Sequence, residues 1–593
     1  MNSDAVLLYR EDLKASEQNA MKIINSMGGN VSPVRLSQGG VLCEESVERS
    51  AGGLIVSAQT LLEVNNRSQG GVGLRRMLMG LAPNVLIYGF EPIPLHNQLL
   101  EEMTLGGLLG VQSLRSGDCK IRVAEDSPEI SQQFTGLSFA TTIAASTFSF
   151  IEGPSQAPYS SLIRIEERPF FVRAKNEQGQ LYLLANSQIA DLDVKVSRDS
   201  SLLQFFSDLV PLMMFIRSYS SDGLWRNDKP AACFIVDDPL LKKRYGFLDY
   251  EKLFDVMQGK QFSTSVAFIP WNYRRSSRHV VDLFATNPEK YSLCIHGCDH
   301  TAEEFGGSNY RLLREKAQKA LDRMGLHHQL SGLPFDDVMV FPQGVFSIAA
   351  MKALKSSGYL AAVNSTAHDI DCSDMITLRD LVDVAVTRFS NFPLFIRRYP
   401  SNIVEVAFDL FLGKPALLVE HHTYFRDGYR LLAECIDKIN SLDKRLEWTS
   451  LAKICSHACL RRVSGNSDLH VKFFTDQFWI ENDSEQPKQY VLLREHSPED
   501  PVMGVTINGR QANYTQEEHS VKILLPLVPG QGAEVRIQSG GLDLVSAHRG
   551  QNVIYHARVF ARRHLSEFRD NYVDTNCVLR RIKPGIRNFI AKL

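Results

Sequence analysis

No apolar run in the 593-residue chain approaches the roughly 18 residues that a spanning helix needs. Nor does the chain open with a basic stretch, an apolar core and a small-residue cleavage site. After Met1-Asn2-Ser3-Asp4 comes a short strand-like run, Val6–Tyr9, so no secretory leader is expected. The cytoplasm is the default location, with a membrane-associated complex as the other setting. The ten cysteines are spread out with no Cys-x-x-Cys pair, which excludes a disulfide scaffold and points to reduced, mostly buried thiols. A formal net charge of −2 gives no broad attraction to nucleic acid, which is not an expected partner. Sustained heptads and a dinucleotide fingerprint are also absent. Gly70-Gly71-Val72-Gly73 lacks the Gly-x-Gly-x-x-Gly order and reads as a flexible turn.

What remains is ordinary globular composition, 44% hydrophobic and 22% charged, over a length too great for one core. Two to four domains are expected. In residues 1–114, strand-like runs at Ala5–Tyr9, Leu54–Ser57 and Val85–Tyr88 alternate with a helix over Ser16–Met27, as in a flavodoxin-like α/β unit. Residues 115–225 read as a β-rich domain with a linking helix over Ser201–Met214, and a hairpin turn at Asn176–Gly179.

Residues 226–460 repeat strand, loop and helix, the rhythm of an α/β enzyme domain. Ala232–Val236 is an apolar strand ending in Asp237-Asp238-Pro239. Tyr291–Ile295 ends in His296-Gly297-Cys298-Asp299-His300. If a helix starts there, His296 and His300 stand one turn apart, a spacing that lets two imidazoles reach one metal ion. Cys294 and Cys298 interleave with them, but the change from strand to helix works against a four-ligand cluster. Val338–Phe341 leads into Pro342-Gln343-Gly344, and Ala416–Glu420 into His421-His422. Tyr310–Met324 reads as a helix stopped by Gly325, His327-His328 as loop surface, and Val382–Arg388 as a further strand. Trp271, Tyr273 and Phe341 are aromatic faces suited either to a sugar groove or to packing.

Together, Asp237-Asp238, His296-x-x-x-His300, Pro342-Gln343-Gly344 and His421-His422 resemble the ordered motifs of the polysaccharide deacetylase family. That family is also called the NodB-homology family or carbohydrate esterase family four. The resemblance implies a deformed (β/α) barrel and metal-dependent removal of acetyl groups from an N-acetylated sugar or polysaccharide. It implies Asp238, His296 and His300 as ligands of a divalent metal, zinc first and cobalt, nickel or another transition metal after it. It implies Asp237 as base and His421 or His422 as acid, with His421 preferred because it directly ends the strand. The chain departs from the family pattern at Pro239, where glycine is usual, and at Gly297, where serine or threonine is usual. No arginine stands before Pro342, and no Asp-to-Trp motif is evident around residues 363–374. These departures fit a divergent member. Alternative readings are an inactive carbohydrate-binding or assembly scaffold, and a related hydrolase of small amides.

Residues 461–550 show short alternating strands with turn signals at Asn508-Gly509 and Pro529–Gly532, a β-sandwich pattern. Residues 551–593 form a basic tail that includes Arg558, Arg562, Arg563, Arg569, Arg580, Arg581, Lys583, Arg587 and Lys592. It reads as a helical or extended arm. A protein partner or a second copy of the chain would bind through this arm or the N-terminal domain.

Overall fold

Strands buried on both faces read as continuous apolar runs, and the central seven do. In the computed structural model they are Ala231–Asp237, Thr264–Phe268, Tyr291–His296, Asp336–Val340, Ala361–Asn364, Leu394–Ile396 and Ala416–His421. The structure describes residues 4–579 apart from 37–51, 66–69, 145, 155–158, 177–178, 221, 373–374, 465–467, 498–499, 540–552 and 577. The seven strands pair in parallel, with Ala231–Asp237 between Thr264–Phe268 and Ala416–His421. The ring closes where the Arg398 N–H donates to Leu417 O at 2.7 Å and the Val419 N–H donates to Arg398 O at 2.9 Å. This is a deformed parallel barrel with helices outside it.

Alternate residues of each strand fill the interior. Cys233, Ile235, Cys294, Val340, Phe395 and Val419 form part of this inner cluster. Continuing the alternation by one step puts Asp237, His296, Arg397 and His421 in one layer at the strands' C-terminal ends. Side chains at that end of a parallel barrel are the ones that its loops can surround with a cleft.

The described residues before 226 form a nine-stranded sheet and a separate two-stranded ribbon of Leu108–Ser113 with Phe148–Glu152. The sheet's parallel half runs Val31–Arg35, Ala5–Tyr9, Gly53–Ser57 and Asn84–Tyr88, followed by Gly179–Leu184 in register with Asn84–Tyr88. The antiparallel strands Arg168–Asn176, Tyr159–Ile165, Gly117–Val123 and Ser138–Ile143 extend it. The flavodoxin-like part thus takes its fifth parallel strand from the β-rich segment, and the sheet does not break at residue 114. Gly70–Leu81 is helical, so Gly70-Gly71-Val72-Gly73 opens a helix instead of forming a turn.

Residues 459–539 form two facing sheets of five and four strands around Phe473, Phe478, Tyr490, Val505, Ile523 and Val535. Of the eight described cysteines, seven are buried and none is in a disulfide. Among the described residues no helix is long and apolar enough to cross a membrane.

Two local expectations change. Helix Tyr310–Ser331 runs through Gly325 and stops at Gly332, which has φ of 78°. His327 therefore lies on the buried face of this helix, 4.9 Å from the Phe268 ring, and burial pushes its pKa down to about 4. Residues 382–388 are not a strand. A capping box between Thr377 and Asp380 starts the helix Leu378–Val382, and only Val386 bridges to Leu394.

Candidate active site

The first barrel strand ends at Asp237, and Asp238 turns sharply with φ of 73°. Left-handed backbone is costly for a non-glycine residue and is concentrated at functional sites. The turn lets two neighbouring carboxylates serve different partners. Asp237 points inward to Arg397, which holds it by two bonds of 2.8 Å, Nη1 to Oδ1 and Nη2 to Oδ2. Burial pushes the Asp237 carboxyl upward, but Arg397, His296 and His421 outweigh it and hold its pKa below the usual range.

Asp238 Oδ1 lies 3.1 Å from His296 Nε2 and 3.0 Å from His300 Nε2. His296 Nδ1 is 2.9 Å from Val340 O; a carbonyl only accepts, so Nδ1 carries the proton and Nε2 offers a lone pair. Asp238 Oδ1 is shut from solvent and accepts no hydrogen bond. Three ligand atoms so close, with an orphaned carboxylate oxygen among them, match a tetrahedral metal site, whose ligand atoms stand roughly 3.3 Å apart. The two nitrogens and one oxygen suit a borderline divalent ion such as zinc.

The two histidines do not meet on a helix. Residues 297–302 form turns and bends, with positive φ at Gly297 (64°) and His300 (55°). Glu304 organises this loop. Its Oε2 accepts the N–H of Cys298 at 2.9 Å and of His300 at 3.0 Å, and its Oε1 accepts that of Asp299 at 2.8 Å. A Cβ at Gly297 would sit 2.5 Å from both Glu304 Oε2 and Pro342 Cγ, which accounts for glycine where serine or threonine was expected. Cys294 and Cys298 do not join the histidines. Cys294 lies inside the barrel, and Cys298 Sγ is 3.4 Å from Arg323 Nη1.

His421 and His422 separate. His421 pairs in register with Asp237, on the same inward face of parallel strands. His422 turns the other way. Its Nε2 lies 3.5 Å from Asp570 Oδ1, and its ring stacks on Phe247 at 6.2 Å and meets Tyr245 edge-on at 5.6 Å.

Asp570 belongs to the tail, which lies across the barrel's C-terminal face. Helix Val553–Phe568 continues into Arg569–Val573. The Tyr555 hydroxyl donates to Asp299 Oδ2 (2.8 Å), Arg562 Nε to His300 O (3.0 Å), and the Tyr245 hydroxyl to Asp570 Oδ2 (2.7 Å). Glu567 takes Lys242 at 2.6 Å and Arg275 at 2.5 Å, and Trp271 packs against Phe560 and His564. Phe341 is buried in the core and lines no groove. Arg580, Arg581, Lys583, Arg587 and Lys592 lie outside the described residues.

Two further groups bring metal-ligating atoms together, Cys298–Asp299–Glu304 and His422–Asp570–Asp574. In the first, Arg323 and Tyr555 hold Asp299, while backbone N–H groups occupy Glu304. In the second, Asp570 is engaged by Arg569 and Tyr245. A cavity of about 490 Å³ lined by Arg217, Trp225 and Arg226 lies at the strands' N-terminal ends, away from the Asp238 cluster.

Sequence reasoning missed Arg397, Glu304 and the tail contacts. Arg397 was findable, because it continues the inward alternation of Phe395 past the strand end. Glu304 carried no signal without the loop's conformation.

No family model matches the chain, and no curated protein does. Solved structures similar to it include carbohydrate deacetylases and a family 4 pseudoenzyme. The carbohydrate deacetylase Agd3 is similar over 90% of this chain and 98% of its own, at 10% identity and a TM-score of 0.47. A family 4 carbohydrate esterase from Streptomyces lividans, in complex with acetate, is similar over 38% of this chain and 93% of its own, at 12% identity and a TM-score of 0.24. A family 4 pseudoenzyme from Bacillus anthracis is similar over 40% and 70%, at 10% identity and a TM-score of 0.24. At these scores none of the likenesses carries an argument for function.

Proposed function

We propose that the protein is a metal-dependent hydrolase that removes acetyl groups from an N-acetylated sugar or polysaccharide. The observation that carries this reading is the convergence of Asp238, His296 and His300 beside an Asp237 that Arg397 holds ionised. Asp238, His296 and His300 would hold the ion, which when bound supplies Lewis-acid polarisation of the acetyl carbonyl and of water.

Asp237 takes a proton from the attacking water as its oxygen bonds to the acetyl carbon. Its paired bonds to Arg397 fix its orientation and keep it a carboxylate at neutral pH. His421, on the same face, donates a proton to the departing amine nitrogen as the C–N bond breaks, leaving acetate and a free amine. His422 is committed to the tail and serves as an anchor.

The test is acetate release from N-acetylated sugar oligomers by metal-loaded protein, with Asp237→Asn as control. Activity is expected to fall by about 100-fold or more in the variant, with metal content unchanged. Equal acetate release by the variant and the parent would sink the assignment of Asp237.

A further inference from the structure

Arg563 is 4% exposed on the barrel-facing side of the tail helix, and its Nε is shut from solvent with no hydrogen-bond partner among the described residues. An unpaired buried cation is costly and is retained where something else neutralises it. The barrel-facing stripe Tyr555, Val559, Arg562, Arg563, Ser566 and Asp570 follows helical spacing, so Arg563's position is fixed from both sides. On one side Arg562 bonds the backbone of His300 at 3.0 Å, and on the other Asp570 takes the Tyr245 hydroxyl at 2.7 Å. The chain neighbour of Arg563 thus touches the backbone of His300, a member of the Asp238–His296–His300 cluster.

The carboxylates around it are engaged elsewhere. Asp299 holds Arg323, Glu567 holds Lys242 and Arg275, and Asp570 holds Arg569 and Tyr245. Glu304 is occupied by three backbone N–H groups, and Asp238 faces two histidines. None of these five carboxylates bonds Arg563, so an anion brought by a ligand would complete its hydrogen bonding. A planar guanidinium fork matches a carboxylate in bidentate fashion.

We propose that the C-terminal helix forms a wall of the catalytic cleft and that Arg563 binds a carboxylate there. The carboxylate is either the acetate formed in the reaction or an acidic substituent on the sugar. The inference rests on the hydrolase reading for the identity of that carboxylate, but not for its existence.

Acetate and glucuronate are titrated by calorimetry into the full-length protein and into Arg563→Met and Arg563→Lys, with metal content and thermal midpoint measured on each. The expected result is a 10- to 100-fold weaker affinity for at least one probe in Arg563→Met, the range for losing hydrogen bonds to a charged partner. Arg563→Lys, which keeps the charge, is expected to fall between the two. Loss for acetate alone identifies a product site, and loss for glucuronate identifies selection of acidic sugars. Unchanged binding of both probes in a folded Arg563→Met, or no binding of either by the parent at millimolar concentration, overturns the proposal. Arg563-dependent binding in a protein that releases no acetate from acetylated sugars would uphold this site while removing the hydrolase reading.

Discussion

Replacing Asp570 by asparagine keeps the shape of the side chain and removes its charge. In the folded protein this carboxylate is 4% exposed and accepts from the Tyr245 hydroxyl and Arg569 Nε, both at 2.7 Å, with His422 Nε2 at 3.5 Å. Burial raises its pKa, but His422 and Arg569 outweigh burial and bring it from 3.8 to about 2. At about 1.4 kcal/mol per pH unit, that difference corresponds to about 2.5 kcal/mol of stabilisation. Because the folded pKa is depressed, the contribution is complete above 3.8 and is lost as pH falls toward 2. Global unfolding of so large a multidomain chain does not isolate this contribution. Local opening of the tail does, and amide exchange over residues 553–573 reads it. Exchange there is expected to speed up by about 70-fold in Asp570→Asn at neutral pH, the fold-change equivalent to about 2.5 kcal/mol. The parent should show the same loosening between pH 4 and 2, with the sandwich strands unaffected. Exchange unchanged in the variant would refute the claim that this carboxylate anchors the tail.

Three further outcomes follow from the site. Arg397→Met removes the cation that most lowers the Asp237 pKa, so the acid limb of the activity profile should move to higher pH without loss of metal. Glu304→Gln disturbs the carboxylate that gathers three N–H groups under His300, and metal affinity measured by competition with a chelator should drop by about 10- to 100-fold. His421→Ala should lower turnover with tail exchange unchanged, whereas His422→Ala should speed tail exchange. A reversed pattern would exchange the roles of the two histidines.

The barrel and its end-of-strand residues were legible in sequence because both follow from short-range rules. Apolar runs bounded by turns mark strands, and the polar residue that ends each run lands at the barrel mouth. Asp237, Asp238, His296 and His421 all follow that rule. The loop between His296 and His300 did not, because spacing alone implies a helical turn while Gly297 and the crowding of Glu304 and Pro342 enforce another backbone. The continuity of the N-terminal sheet depends on Gly179–Leu184 pairing with Asn84–Tyr88, a long-range choice with no local signature. The tail was expected as a helical or extended arm and contains the helix Val553–Phe568, but its docking on the barrel was not foreseen. Its basic residues gave no sign of this, yet Arg562 and Arg563 are buried on the barrel-facing stripe. That stripe was visible as helical spacing, but its polarity hid it from any search for apolar faces.

The most direct measurement is anomalous scattering from crystals of the protein loaded with zinc. The account predicts one ion with Asp238 Oδ1, His296 Nε2 and His300 Nε2 each about 2.0–2.2 Å away, and loss of that peak in His300→Ala. No ion at those three atoms under metal-replete conditions, or an ion held only at His422, Asp570 and Asp574, would contradict it.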